Sequence, residues 1–260
     1  MLKGKCALIT GSTQGLGYAM AERLAAEGCH VVLNGFGDPV EIEAKRRQLE
    51  DCHGVRALHH GADLGMPGEI ADLVETAERA FGAVDIVVNN AVVRHFSPLE
   101  TFKVEEWDRA LAVNLSSAFH VTRLALPGMR RRDFGRIVNI SSVYGLFGTV
   151  NRIDYVTTKT ALIGFTRAVA LEVAGQNITC NAICPGSSPT PAIEQRLADF
   201  MAREGLTRDD AVRAFMASRQ PSGRFVAMEG VAALAAFLCG PAGRDITGAA
   251  IPIDGGWSAS

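Results

Sequence analysis

The sequence lacks a charge excess, paired cysteines and long apolar runs, and each absence removes a class of function. Lys and Arg number 26 against 28 Asp and Glu, a formal net charge of −2. Nothing in that balance points to nucleic acid or to an anionic membrane surface. Six cysteines (Cys6, Cys29, Cys52, Cys180, Cys184 and Cys239) are scattered with no Cys-x-x-Cys pair and no Cys/His spacing suited to zinc. They read as reduced, mostly buried thiols, which fits a cytoplasmic protein. The first residues run from two Lys into only a few apolar positions before a Gly, too short for a signal peptide. The late apolar run 231–239 is too short to span a bilayer. No internal repeat, low-complexity stretch or linker is present.

What is there is one α/β pattern. With 260 residues, 48% of them hydrophobic, the chain can fill one sizeable core. Short apolar runs at 5–10, 30–34, 55–60, 84–88, 135–142, 178–184 and 249–253 read as strands. Helical patterns fall between them, at 18–27, 39–50, 67–81, 104–131, 152–175 and 228–238. This alternation predicts parallel βαβ units and a single-domain, doubly wound sheet of about seven strands with helices on both faces. The segment 187–224 is more polar, with helical patterns at 191–204 and 208–219, and is expected to form a small helical lid over a site. The long pattern 104–131 contains Asn114, a poor residue for a helix interior, so a kink or a bound water is expected there. Its end, Arg130-Arg-Arg132, reads as a solvated complement to the helix dipole.

The chemistry-bearing residues gather at strand ends. Gly11-Ser-Thr-Gln-Gly15-Leu-Gly17 joins the first strand to the first helix, where glycines allow close backbone approach and free N–H groups attract a pyrophosphate. Tyr155-Val-Thr-Thr-Lys159 puts a phenol and an ammonium on one face of a helical turn. A free phenol, with a pKa of about 10, is a poor base at neutral pH. A cation held against it stabilises the phenolate and makes Tyr155 a usable proton acceptor or donor. In open parallel sheets, ligands bind along the edge where the strands' carboxyl ends lie.

The set Gly11-x-x-x-Gly15-x-Gly17, Asp63, Asn89-Asn90-Ala91, Asn114, Ser142, Tyr155-x-x-x-Lys159 and Pro185-Gly186 resembles the short-chain dehydrogenase/reductase family over essentially the whole chain. The stretches Leu33-Asn-Gly-Phe-Gly-Asp38, Phe134-Gly-Arg-Ile-Val-Asn-Ile140, Asn181-Ala-Ile-Cys-Pro-Gly186 and Asp254-Gly-Gly-Trp257 are similar to bacterial D-3-hydroxybutyrate dehydrogenases. The resemblance implies a Rossmann-type fold, a homotetramer built on two long helices and the last strand, and catalysis by Ser142, Tyr155, Lys159 and Asn114. Ser142 would hold the reacting oxygen, Lys159 would also bind the nicotinamide ribose, and Asn114 would hold a water linking Lys159 to solvent. A cofactor path is implied along Gly11, Thr13, Gly15, Leu16, Gly17, Phe36, Asp63, Leu64, Asn90, Tyr155, Lys159, Pro185, Gly186 and Thr190, with Asp63 at the adenine. A 2′-phosphate needs a cation near the glycine turn or just after the second strand. Ser12, Thr13, Gln14, Asn34, Gly35 and Phe36 stand there instead, which favours NAD.

The chain also departs from what it resembles. Arg94, Tyr144, Arg152 and Arg196 stand where 3-hydroxybutyrate dehydrogenases grip a carboxylate with a Gln, a His, a Lys and a second Gln. Guanidinium groups bind oxyanions through paired hydrogen bonds, so three of them imply a more demanding anion than one small carboxylate. Arg152 and Arg196 also match arginines that grip a sulfonate in the similar 2-(R)-hydroxypropyl-coenzyme M dehydrogenases. A hydroxyalkyl sulfonate, a phosphonate or a dicarboxylate is therefore the alternative to a hydroxybutyrate-like substrate. Val92 stands where a Gly is usual, which keeps a non-catalytic nucleotide-binding protein as a further, lesser reading. An epimerase of the extended type would need a longer C-terminal substrate domain.

Overall fold

Aliphatic and β-branched runs form strands β1 (Cys6–Ile9), β2 (His30–Asn34), β3 (Ala57–His60), β4 (Ile86–Asn89), β5 (Gly135–Ile140), β6 (Ile178–Pro185) and β7 (Ala250–Ile253). They were traced in a computed structural model that describes residues 2–189, 191–217 and 219–259. The strands form one sheet in the order β3-β2-β1-β4-β5-β6-β7, and each neighbouring pair is parallel. The expected strands are thus all present, with ends moved by a residue or two.

Successive side chains of a strand point to opposite faces, and here both faces are covered. Ala7 and Ile9 of β1 pack on the side of α1 (Gly15–Ala26), α2 (Pro39–His53) and α9 (Met228–Cys239). Cys6 and Leu8 pack on the other side, against α3 (Pro67–Phe81), α5 (Ser117–Arg132) and α6 (Ile153–Glu172). The two cores are therefore dictated by the one-residue alternation within each strand. The bounds of α3 follow from local chemistry: Pro67 opens the first turn and Gly82, at φ +80°, closes the last. The 187–224 segment holds α7 (Pro191–Glu204) and α8 (Arg208–Met216). Among the described residues, no helix is long and apolar enough to cross a membrane.

The long helical pattern at 104–131 resolves into α4 (Val104–Leu111), a π turn at Ala112–Ser116, and α5. The physical reason lies in Asn114. Its Oδ1 accepts the Val93 N–H at 2.7 Å and its Nδ2 donates to the Val93 carbonyl at 3.0 Å. A π turn widens the backbone enough to aim that amide at a neighbouring loop.

At the end of α5, Arg130 and Arg131 are exposed as expected, and Arg132 differs. Arg132 turns inward, its Nε donating to Asp85 Oδ1 at 3.2 Å and its Nη2 to the Val84 carbonyl at 3.0 Å. Arg130 reaches Gln176 and the Glu172 carbonyl. Asp85 is buried, and its Oδ2 accepts the Cys6 N–H at 3.0 Å, so it requires a counter-charge that the helix end supplies. Replacing Asp85 with Ala leaves an unsatisfied N–H and an unpaired guanidinium. Urea unfolding is expected to show a loss of about 2–4 kcal/mol; an unchanged midpoint would mean that Arg132 needs no buried partner.

Candidate active site

The site lies where the strand order reverses, between the carboxyl ends of β1 and β4. Gly11 leaves β1 at φ +61°, and a Cβ placed on it would lie 2.8 Å from the Cα of Ala91. A Cβ on Gly17 would come within 2.6 Å of Asn90 Nδ2. Asn90 donates from Nδ2 to the carbonyls of Thr10 and Gly11, both at 2.9 Å, and so ties the two strand exits together. Gly15, at φ +56°, has open space where its side chain would be. Leu16 beside it packs on the core. The start of α1 has no side-chain cap and no acidic residue in its first turn, unlike α2, which Asp38 caps by accepting from Val40 and Glu41. Free N–H groups, no competing carboxylate and an open glycine turn suit a bound pyrophosphate. A nicotinamide dinucleotide therefore fits the residues present.

At the far side of this crevice, Thr13 donates to the Phe36 carbonyl at 2.9 Å, and the Phe36 side chain is 62% exposed, open to a ligand. Asn34 turns inward onto the carbonyls of His60 and Ala62. Lys45 reaches over from α2, a cation the local sequence pattern did not disclose, and donates to the Thr13 carbonyl at 2.7 Å. Asp63 is engaged within the protein. Its carboxylate pairs with Arg109 at 2.7 Å and accepts the Gly65 N–H at 2.8 Å, which holds it well below its ordinary pKa. Leu64 is buried beside it. Pro185 ends β6 in register with Ile253, and the Gly186 N–H donates to the Ile253 carbonyl at 3.0 Å. Thr190 falls outside the described residues.

Tyr155 and Lys159 are both buried in the first turns of α6. Lys159 Nζ lies 5.7 Å from the centre of the Tyr155 ring and donates to the Ile140 carbonyl at 2.6 Å. Burial, with the nearby Arg94 charge, pushes the Lys159 ammonium down to about 7. Asn114, on the π turn, also donates to Thr158 at 3.3 Å, so the turn is fastened to α6 next to Lys159. Ser142 follows β5 and accepts the Tyr144 N–H at 3.2 Å. That contact uses an oxygen lone pair, and the hydroxyl hydrogen is still available to an outside oxygen. The Tyr144 ring stands edge-on to Tyr155 at 6.4 Å.

Two of the three arginines converge on this phenol, and the third joins them through Phe96. The guanidinium carbon of Arg152 lies 4.6 Å from the Tyr155 ring centre, and that of Arg94 lies 5.5 Å away. Arg152 also lies 4.2 Å from the ring centre of Phe96, and Arg196 lies 5.6 Å from that same ring. Among the described residues, no carboxylate comes within 4.0 Å of any of the three guanidinium groups. The acids near Arg196 are engaged elsewhere: Glu194 forms a double hydrogen bond with Arg208, and Asp199 accepts from Gln195. Arg152 Nε is buried with no hydrogen-bond partner among the described residues, and burial lowers the guanidinium's pKa. Such a cluster attracts anions.

Known proteins share this framework. The family model described as Enoyl-(Acyl carrier protein) reductase matches residues 11–258. A D-beta-hydroxybutyrate dehydrogenase of Cupriavidus necator is 44% identical over 259 residues, covering 100% of both chains. One from Rhizobium meliloti is also 44% identical, over 98% of this chain and 99% of its own. The chain belongs to the short-chain dehydrogenase/reductase family. The solved L-sorbose reductase of Gluconobacter frateurii, complexed with NADPH and L-sorbose, superposes with a TM-score of 0.93 at 30% identity, covering 100% of this chain and 98% of its own.

Within this dehydrogenase fold, several residues at the site escaped the sequence reading. Phe96 is one. A second is the pair of Asp154, which has no exposed surface, and His95, whose Nδ1 lies 2.9 Å from Asp154 Oδ2. Asp154 Oδ1 also accepts the Tyr155 N–H at 2.6 Å, so the carboxylate joins the loop after β4 to the first turn of α6. Trp257 is a third, with its ring 5.3 Å from Tyr144 and 5.7 Å from Phe147 in an aromatic wall. Sequence patterns disclose none of these, because the Phe96–Arg152, His95–Asp154 and Tyr144–Trp257 contacts join segments far apart in the chain.

The depressed Lys159 value has a measurable consequence. An unfolded Lys titrates near 10.4, so between about 7 and 10 the folded, ligand-free protein binds fewer protons than the unfolded chain. This group's penalty is therefore full below about pH 7 and is relieved as pH rises. The stability difference between the wild type and Lys159→Met should shift in favour of the wild type by about 2 kcal/mol from pH 7 to pH 9. A pH-independent difference in denaturant titrations would show that Lys159 keeps its ordinary affinity for protons.

Proposed function

We propose that this protein is an NAD-dependent oxidoreductase that interconverts a small secondary alcohol bearing an anionic group and its ketone, as a relative of the D-beta-hydroxybutyrate dehydrogenases. The observation that carries the reading is the first turn of α6, where Arg152 precedes a buried Tyr155 that has Lys159 one turn beyond it. One helical turn thus offers a proton-transfer group and a charge to hold the substrate.

The nicotinamide accepts or donates the hydride when it is bound. Gly11, Thr13, Gly15, Leu16 and Gly17 would hold its pyrophosphate end, with Phe36, Asp63, Leu64 and Asn90 along the adenosine side and Pro185, Gly186 and Thr190 at the nicotinamide side. The protein's own part is the proton. In the oxidation direction the Tyr155 oxygen takes the carbinol hydroxyl proton, while the Ser142 hydroxyl donates to the carbinol oxygen as negative charge develops on it. The Arg152 guanidinium and the Lys159 amine stand 4.6 and 5.7 Å from the centre of the Tyr155 ring, whose oxygen would take the proton. Asn114 holds the Val93 backbone beside this centre and supports a solvent path to Lys159. Arg94, Tyr144, Arg152 and Arg196 surround the end of the substrate that carries charge.

NAD is favoured over NADP because Asn34, Gly35 and Phe36 offer no cation at the end of β2 and Lys45 is bonded to the Thr13 carbonyl. The glycine turn and the β2 end are where a 2′-phosphate would be met. The exposed Phe119 and Leu171 on the two long helices, with the free edge of β7, support a homotetramer. The six free cysteines support a reducing, cytoplasmic location. A second reading keeps the reaction and changes the anion to a hydroxyalkyl sulfonate, a phosphonate or a dicarboxylate. It is favoured by three guanidinium groups without a carboxylate partner among the described residues.

Nicotinamide absorbance recorded with NAD or NADP and a panel of hydroxy acids, hydroxysulfonates and hydroxyphosphonates tests the function. Turnover of an anion with NAD is expected; no turnover of any hydroxy anion would overturn it. Tyr155→Phe should lower kcat by about 10²–10⁴-fold without loss of fold. Arg152→Ala should raise KM for the anion by about 1.5–3 kcal/mol. An equal rise for a neutral alcohol of the same size would remove the anion clamp.

A further inference from the structure

The charged end of the site contains an aromatic ring that the reaction does not use. Phe96 lies in the loop after β4 and is 60% exposed. Arg152 approaches the ring centre to 4.2 Å and Arg196 to 5.6 Å, while Arg152 also lies over Tyr155, which Arg94 approaches in turn. The contacts run Arg196, Phe96, Arg152, Tyr155, Arg94, so cations and rings alternate. Three separate segments contribute: the loop after β4, the start of α6, and α7.

Like charges repel, and a half-buried guanidinium normally finds a carboxylate. Here the electron-rich faces of Phe96 and Tyr155 take that role for Arg152. A ring face attracts a cation but leaves the guanidinium's in-plane N–H groups free, and those are the groups that bind oxyanions. Arg152 Nε, buried and without a hydrogen-bond partner among the described residues, is one such group. A carboxylate in place of Phe96 would occupy those donors and neutralise the site.

We propose that Phe96 is a positioning residue for substrate specificity: it holds Arg152 and Arg196 on one ring so that both address the anionic end of the substrate. This rests on the proposed anionic-substrate reading, and it further links α7 to the helix that carries Tyr155. Phe96 acts through the two arginines and not on the reacting atoms.

The test uses the full-length enzyme with NAD. The wild type is first assayed with 3-hydroxybutyrate, 2-hydroxypropanesulfonate, 2-hydroxypropylphosphonate and malate; the anion turned over fastest is then compared with neutral 3-hydroxybutyramide. Phe96→Leu keeps an apolar side chain but removes the ring, and Phe96→Tyr keeps the ring. In Phe96→Leu the ratio of kcat/KM for the anion over the amide should fall about tenfold. The change should be carried mainly by KM for the anion, which a general loosening of the fold would not single out. Phe96→Tyr should keep the ratio within about twofold of the wild type. An unchanged ratio in Phe96→Leu, or an equal loss in both variants, overturns the proposal. A wild type that turns over no anion, or prefers the amide, overturns the anionic-substrate reading and the Phe96 proposal with it.

Discussion

The carboxyl edge of the sheet depends on how closely the exits of β1 and β4 approach each other. Asn90 bonds to two consecutive carbonyls just beyond β1, and Gly11 and Gly17 have no room for a side chain against Ala91 and Asn90. That contact fixes where the first helix begins, and the uncapped start of α1 then faces the crevice with its N–H groups free. From β4 onward the chain is placed by the same anchor. The loop bearing Arg94, His95 and Phe96 leaves directly from Asn90, and Asn114 and Asp154 hold it at Val93 and His95. A small-residue contact at one end of the sheet thus governs the geometry of the charged pocket at the other side of the site.

The electrostatics of that pocket are one-sided. Around Tyr155 stand Arg94, Arg152 and Lys159, and the buried acid nearby, Asp154, faces His95 and the Tyr155 backbone. In water, solvent would screen such a cluster; with Tyr155 and Lys159 buried and Arg152 partly buried, it is only partly screened. The proton affinity of Lys159 is lowered first by burial and then by the Arg94 charge, the second of which belongs to this positive potential. On the proposed reading an anionic ligand would relieve it, so that binding and proton transfer would share one electrostatic field.

Much of this was legible in the sequence because it depends on local rules. Strand alternation, the glycine turn, the ends of α3 and the Tyr155–Lys159 spacing each involve residues a few positions apart, where backbone geometry leaves few options. The awkward Asn114 signalled an irregularity, although only the structure gives its form as a π turn. What was hidden involves long-range pairing. Arg132 reads as a solvated helix end until Asp85, 47 residues away, is seen to need it. Phe96 reads as a loop residue until arginines from two other segments close on it. Asp63 was expected to face a ligand, and its engagement by Arg109 across 46 residues was invisible from the local pattern.

The π turn carries a consequence for how this chain tolerates change in length. A π turn holds one residue more than the α-helical turn it replaces, so α5 is rotated by about 100° relative to a continuous rod. Deleting a single residue between Ala112 and Ser116 would let the backbone relax into regular α-helix, with better local hydrogen bonds. It would also swing either Asn114 off Val93 or the buried face of α5 (Val121, Ala125, Met129) off its core. The irregular turn therefore acts as a phase-setter: a shorter, straighter helix would be locally more regular, yet it could not satisfy both the core and the site at once.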